Sequence, residues 1–296
     1  MSQYLFQQIV NGLSLGSLYA LIAIGFSMIY GIVRLINFAH GDLVMIGAFA
    51  SLAMVQAGVP WPMVAMLALV VGACAGMTIE TAVFRPMRGA SQVTGFIATL
   101  AVSVLIQNGA LLLLSGQQRS FQFPAEMRQR VSMGGVSASM TDLTIIVISL
   151  VLIAGLLVMV YRTRLGTAMR ATSENLLAAR LMGVPVNRTI LLAFAIGSAL
   201  AAFAGLMWGG KFGQIDPLMG ATPGLKAFIA CVIGGVGSIG GALLGGYLLG
   251  MAEVLFVGLL PPEYASYRDA FVFGMLILIL LVKPSGLFVR HVEERA

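Results

Sequence analysis

The chain has 296 residues, of which 59% are hydrophobic and only 9% charged, against roughly 25% charged in an average soluble domain. So few charges could not cover the surface of a soluble globule this size, which excludes a cytosolic enzyme, a nucleic-acid binder and a disordered protein. The net charge of +6 therefore reads as loop charge that orients spans in a bilayer, and the 36 glycines as small residues that let helix backbones approach closely.

A spanning helix needs about 20 mostly apolar residues. In chain order the candidates are Ile9–Ile32, Asn37–Ala57, Trp61–Phe84, Val93–Leu114, Leu143–Tyr161, Thr189–Trp208, Gly224–Val236, Gly241–Leu260 and Tyr264–Val282. They predict an all-α fold, a polytopic transmembrane helix bundle of about 8–10 spans counting broken or short helices, in one domain over 1–296. The N-terminus MSQYLFQQIV has no basic residue before Arg34, so the first helix is expected to stay in the mature protein. Cys74 and Cys231 lie in apolar runs and are expected to be buried, reduced and hydrophobic in behaviour.

Two spans are irregular. Asn37–Ala57 carries Asn37, His40, Gly41 and Asp42 at its start, a poor composition for a continuous apolar helix. It reads as a broken helix whose free backbone groups line a cavity or the protein interior, because lipid could not satisfy them. Transporters build substrate sites from such breaks, which makes these four residues translocation-pathway candidates. The competing placement puts His40 and Asp42 at the membrane edge, bonded to neighbouring helices. Gly224–Val236 is short, and the Gly-rich stretch Gly234–Gly241 that follows it is a candidate counterpart of the first break. Glu253 lies deep in its span and needs a partner or a wet cavity. Lys226, at similar depth, is the expected partner, and Glu253 joins the pathway candidates. Glu80 is expected to snorkel or to pair with Arg85 or Arg88. Gly12/Gly16, Gly72/Gly76, Gly205/Gly209 and Gly241/Gly245 mark packing seams.

Charge sets the orientation. With the N-terminus outside, Arg34, Arg85, Arg88, Arg162, Arg164, Arg170, Arg180, Arg188, Lys283, Arg290 and Arg295 fall inside, against Arg119, Arg128, Arg130, Lys211 and Arg268 outside. Eleven against five obeys the positive-inside rule and puts the C-terminal tail in the cytoplasm. The loop 116–142, with Pro124 and the Gly134–Gly135 pair, is then external, a solvated cap or a docking surface for an external partner. The loop 162–188 is cytoplasmic. In it, Thr172 or Ser173 can cap a helix, Glu174 would occupy the first turn, Leu177, Ala178, Leu181 and Met182 repeat at helical spacing, and Gly183 and Pro185 end the run. This predicts a helix Ser173–Met182 outside the bilayer. It is either a resting helix with Arg170 and Arg180 on lipid phosphates or a contact element for another protein.

Enzyme readings fail. Gly12-Leu-Ser-Leu-Gly16 matches a nucleophile elbow but lies inside an apolar helix and not in a strand-turn-helix. Two histidines and two scattered cysteines make no metal site, and no catalytic residue is assigned. The chain has no Gly-x-x-x-x-Gly-Lys-[Ser/Thr] loop; no cofactor is expected in it, and ATP would be bound by partner subunits.

Several stretches resemble one family. Glu174, followed by Ala178-Ala179 and by Gly183 nine residues after the acid, is similar to the coupling-loop motif of ATP-binding-cassette importer permeases, in the variant found in permeases for branched-chain amino acids. Gly16–Gly25, Met28–Gly31, Ile36–Asp42 with Met45–Gly47, Gly234–Ala242 and Pro284–Phe288 resemble the LivH-type permease signatures, with Asp42 where relatives often carry Glu. The resemblance implies a multi-pass permease of a bacterial inner membrane. It would pair with a second permease subunit, be driven by two cytoplasmic ATPase subunits that contact Glu174, Leu177, Ala178, Ala179, Leu181 and Gly183, and be fed by an external or periplasmic substrate-binding protein. Urea or short amides are the rival substrates within that family. A stand-alone secondary transporter or channel is the rival outside it, and has no need of a doubly capped helix between two spans.

The orientation is testable. Cysteines at Ser120 and at Thr167, each alone in a chain lacking Cys74 and Cys231, should react from opposite sides with a membrane-impermeant thiol reagent. Labelling of both from outside would overturn the assignment.

Overall fold

The computed structural model describes residues 2–133 and 136–288. The Gly134–Gly135 pair and the tail arginines Arg290 and Arg295 lie outside the described residues.

The apolar runs form helices α1 (Ser2–Val33), α2 (Asp42–Gln56), α3 (Trp61–Ile79, continued by a π-turn over Glu80–Phe84), α4 (Gln92–Leu114), α5 (Met140–Arg162), α8 (Val186–Phe212), α9 (Ala221–Gly234), α10 (Ile239–Leu259) and α11 (Arg268–Val282). Between α5 and α8 lie two shorter helices, α6 (Arg164–Glu174) and α7 (Leu176–Leu181). Eight of the described helices are long and apolar enough to cross a membrane. The expected span Gly224–Val236 is α9, whose 14 residues reach only about 21 Å at 1.5 Å per residue, short of the ~30 Å hydrocarbon core. Polar side chains set the helix starts: Ser91 Oγ accepts from Thr94 N–H at 3.2 Å for α4, and Ser238 Oγ from Gly241 N–H at 3.0 Å for α10.

The bundle is organised around α1 and α8, the two most enclosed helices. Both are lined by small residues where neighbours approach. All four predicted glycine pairs are seams: a Cβ on Gly16 would meet Tyr247 Cα of α10 at 3.0 Å, one on Gly72 would meet Ser198 O of α8 at 2.6 Å, Gly205 abuts the Val44 carbonyl of α2, and Gly245 abuts the Ala230 carbonyl of α9.

Each central helix is followed by an irregular link and then a short helix. After α1 the chain turns at Arg34 (φ +56°), runs extended to Asn37, forms a 3₁₀ turn over Phe38–His40 and starts α2. After α8 it turns at Gly213 (φ +75°), forms β4 (Gln214–Ile215) and starts α9. The two short helices begin together, since a Cβ on Gly41 would meet Gly220 O at 2.6 Å and Gly224 Cα at 3.0 Å. They run apart. Past the end of α2, Trp61 packs on Phe121 and Phe123 with ring centroids 5.9 and 5.0 Å away; past the end of α9, Gly237 packs on Gly31 near the last turn of α1, the end where Arg34 reaches the Ser173 carbonyl of α6. The spatial counterpart of the first break is therefore the link 213–220 and not Gly234–Gly241. That glycine stretch is a tight turn, with Gly235 at φ +109° and Gly237 at φ +84°. The closing stretch docks on it, as Leu287 N–H donates to Ile233 O at 2.8 Å and Gly286 lies against Gly235.

The loop 116–142 is anchored to the bundle. Its β1 (Arg119–Ser120) pairs antiparallel with β4, β2 (Arg130–Met133) pairs with β3 (Val136–Ser139), and Phe121 and Phe123 are buried. Cys231 is buried as expected, but Cys74 is exposed on the outer face of α3, so the expectation of two buried thiols holds for only one.

The seams predict a contrast between glycines. Gly205→Leu drives a side chain into the α2 backbone and should cost at least the ~1–3 kcal/mol of ordinary overpacking, whereas Gly274→Leu on α11, with open space around it, should leave the thermal midpoint of the purified protein unchanged. Equal midpoints for the two variants would refute the seam.

Candidate functional site

Asn37, His40, Gly41 and Asp42 come together on one cavity of about 210 Å³. His40 is carried back by the extended link to the middle of α1, where its Nε2 lies 3.2 Å from Ile22 O. Ile22 is eleven residues before the end of α1, about 16 Å along the axis, so the group packs beside the middle of α1 and not at its end. A carbonyl only accepts, so Nε2 carries the proton. Asp42 Oδ1 accepts from Gln107 Nε2 of α4 at 2.9 Å, and the same nitrogen lies 3.1 Å from Ser103 Oγ. Thr99 Oγ1 donates to Ile36 O at 3.0 Å, holding the extended link against α4. Ser103, Gln107, Gly224 and Phe228 complete the wall. The adjacent polar pair Gln107-Asn108 inside an apolar run is the sequence signal for the α4 contribution, which the periodicity of the span alone does not reveal.

Glu253 is not part of this cavity. It is buried in a charge cluster that contains the expected partner: Lys226 Nζ is 2.8 Å from Glu253 Oε1 and 2.8 Å from Asp269 Oδ1, Arg268 Nε is 3.1 Å from Glu253 Oε1, and Tyr19 donates its hydroxyl to Oε2 at 2.9 Å. Two cations and two anions balance, and Glu253 has its oxygens filled. The cluster forms the wall of a second cavity of about 610 Å³ lined also by Trp208, Lys211 and Phe212. Glu80 likewise is buried and bonded by both Arg85 and Arg88.

The loop 162–188 departs from the expected helix Ser173–Met182. Thr163 caps α6, its Oγ1 accepting from Gly166 N–H at 3.2 Å, and α6 runs through Thr172 and Ser173, whose hydroxyls bond back to Ala168 O and Arg170 O. Glu174 is the last residue of α6 and not in a first turn. The cap of the next helix is Asn175, whose Oδ1 accepts from Ala178 N–H at 2.9 Å, and α7 is six residues long, not two and a half turns. The C-terminal end matches expectation, with Gly183 at φ +81°. Ala179 is buried towards the bundle and Ala178 is exposed. Leu177, Leu181 and Met182 are 64%, 79% and 84% exposed.

The charge cluster makes a testable claim. Lys226→Met leaves two carboxylates against one guanidinium and should destabilise the protein by up to the ~3–5 kcal/mol typical of a broken buried pair; adding Glu253→Gln restores neutrality and should recover part of that loss. A double variant less stable than the single one would refute the charge balance.

The chain matches the model of the family described as branched-chain amino acid transport system, permease component, over residues 8–280. It is 40% identical to the high-affinity branched-chain amino acid transport system permease protein BraD of Pseudomonas aeruginosa, over 98% of this chain and 97% of that one. It is 38% identical to the corresponding LivH protein of Escherichia coli, over 99% and 98%, and 30% identical to the autoinducer 2 import system permease protein LsrC of an Enterobacter strain, over 88% and 74%. No solved structure matches. With a family match across nearly the whole chain and helices of this length and apolarity, the protein is a multi-pass membrane permease and belongs to the branched-chain amino acid transport permease family.

Proposed function

We propose that this chain is a membrane-spanning subunit of an ATP-binding-cassette importer that moves branched-chain amino acids into the cytoplasm of a bacterium. It sits in the inner membrane with its N-terminus outside and α6 and α7 in the cytoplasm. A second permease subunit packs beside it, two ATPase subunits bind ATP and drive it, and an external binding protein delivers the substrate. The chain itself holds no cofactor and performs no catalysis. The cavity at Asn37, His40, Gly41 and Asp42 belongs to the transport route, while Glu253 supports the bundle through its charge cluster.

One observation carries the ATP-driven reading. The short helix α7 has both ends fixed, by Asn175 and by Gly183, and turns Leu177, Leu181 and Met182 outward with most of their surface uncovered. Large apolar side chains left outside the spans mark a contact with another protein, and a helix with an apolar face suits a groove on a partner.

Burial of a leucine side chain is worth ~1.5–3 kcal/mol, so one polar substitution there should weaken docking by roughly tenfold or more. Leu181→Asp, and Gly183→Val at a positive-φ position, should leave the protein in the membrane at normal abundance but lose ATPase co-purification and transport-linked ATP hydrolysis. Normal uptake by both variants would reduce α7 to a surface anchor and reopen the stand-alone carrier.

A further inference from the structure

The cavity at the break holds a set of unfilled hydrogen-bonding atoms with a definite chemistry. Asn37, His40 and Asp42 are each 98% or more buried, yet among the described residues Asn37 Oδ1 and Nδ2, His40 Nδ1 and Asp42 Oδ2 have no partner. Buried polar groups are almost always paired, and each exception asks for an explanation. Because His40 Nε2 carries the proton, Nδ1 is an acceptor. The unfilled set is thus three acceptors, Asn37 Oδ1, His40 Nδ1 and Asp42 Oδ2, and one donor group, the Asn37 amide NH₂. What fits three acceptors, one of them a carboxylate oxygen, is a cation rich in N–H donors, and a primary ammonium group carries three.

The surroundings add a second pole. Helices α2 and α9 both start at this cavity, with Gly41 packed on Gly220 and Gly224. The start of α2 is occupied by Asp42 itself; the start of α9, whose Ala221 and Gly224 line the cavity, carries about half a positive charge and favours an anionic group there. The Asn37 NH₂ group is free to donate to it. The volume of about 210 Å³ is several times the ~30 Å³ share of one water. Phe38 and Phe228, with centroids 6.2 Å apart, give the wall an apolar side.

We infer that this cavity is a binding site within the permease for the head group of an α-amino acid. The ammonium is held by Asp42, His40 and the Asn37 carbonyl oxygen. The carboxylate faces the Asn37 amide and the start of α9, and the apolar side chain lies along the phenylalanine rings. The inference rests on the cavity being part of the transport route, and makes the permease itself a reader of the amino-acid head group. The four unfilled atoms are closed off from solvent in this conformation, so the ligand is taken up as the α9 side of the cavity separates from the α4 wall formed by Leu100, Ser103 and Gln107. An alkali cation is the other source of positive charge that acceptors of this kind could hold, and the test separates the two.

The experiment places a single cysteine at Leu100, on the cavity wall, in the complete importer lacking Cys74 and Cys231 and reconstituted in lipid vesicles, with labelling measured without binding protein and leucine uptake measured with it. The rate of thiol labelling is measured against leucine, 3-methylbutylamine (ammonium without carboxylate), 4-methylpentanoate (carboxylate without ammonium) and sodium chloride. Leucine and the amine should slow labelling at concentrations at least tenfold lower than the acid, and sodium should not slow it. Asp42→Asn should erase the preference for the ammonium compounds, whereas a merely structural Asp42 would shift the response to all ligands together. Equal protection by amine and acid, or protection by sodium alone, overturns the proposal. No protection by any compound, with ATP-driven leucine uptake intact, removes the site but leaves the import function standing. Loss of leucine uptake by the unmodified complex would instead remove the import reading itself.

Discussion

The architecture depends on one constraint: a chain that leaves helical structure in apolar surroundings must satisfy its backbone from within the protein. The link after α1 does so by packing. Its 3₁₀ turn stays bonded, His40 N–H to Asn37 O at 3.2 Å, its extended part leans on Thr99 of α4, and its end is pressed against the start of α9. That last contact admits no side chain, which accounts for glycine at 41, 220 and 224. The same requirement explains why α1 and α8 lie at the centre. Each bears an irregular link that has to be enclosed, and enclosure needs small residues on every face that a neighbour approaches.

Charges in the bundle follow a rule with one exception. Glu80 is held by Arg85 and Arg88, Asp142 by Lys211 and Ser14, and Glu253 by Lys226, Arg268 and Tyr19. Each acid sits in a local set whose charges come close to balance, as burial in low dielectric demands. Among the described residues, Asp42 has no cation near it. One oxygen takes the neutral amide of Gln107, with the Ser103 hydroxyl beside the pair, and the other has no partner among the described residues. A chain that neutralises its other deep carboxylates with its own lysines and arginines leaves open the one beside the break. That contrast, more than the cavity's shape, sets this position apart from the structural ion pairs.

The sequence was most legible where physics allows few answers. Apolar runs of about 20 residues could only be spans, glycines four apart could only be close approaches, and a lysine and a glutamate at similar depth in an apolar bundle had to find each other. It was least legible where several residues can do the same job. Thr172, Ser173 and Asn175 are all good helix caps, and the hydrogen bonds that choose Asn175 form because Thr163 has already started a helix that runs through the other two. The depth of His40 was hidden as well. An extended link after a helix can continue out of the membrane or fold back, and the decision is made by Gly41 meeting glycines nearly 180 residues away. Gln107 was missed for a related reason, since nothing local marks a glutamine in a span as the partner of an aspartate on a different helix.

The order of elements gives the proposed coupling a mechanical basis. Only Met182–Pro185 separate α7 from α8, and Pro185 and Gly183 restrict how that joint can bend. Helix α8 is 27 residues long, about 40 Å, and its packing against α1, α2 and α3 is backbone-close at Gly197, Gly205 and Ser198. A helix packed that tightly moves as a rod or not at all. At its far end it passes through Gly213 into the link that sets the start of α9, against Gly41 and beside the cavity. A displacement applied to α7 is therefore delivered to the α9 side of the cavity, while the α4 side, joined to α2 mainly through Gln107 and the link, is free to stay. The cavity lies between an element that the ATPases would push and one that they would not.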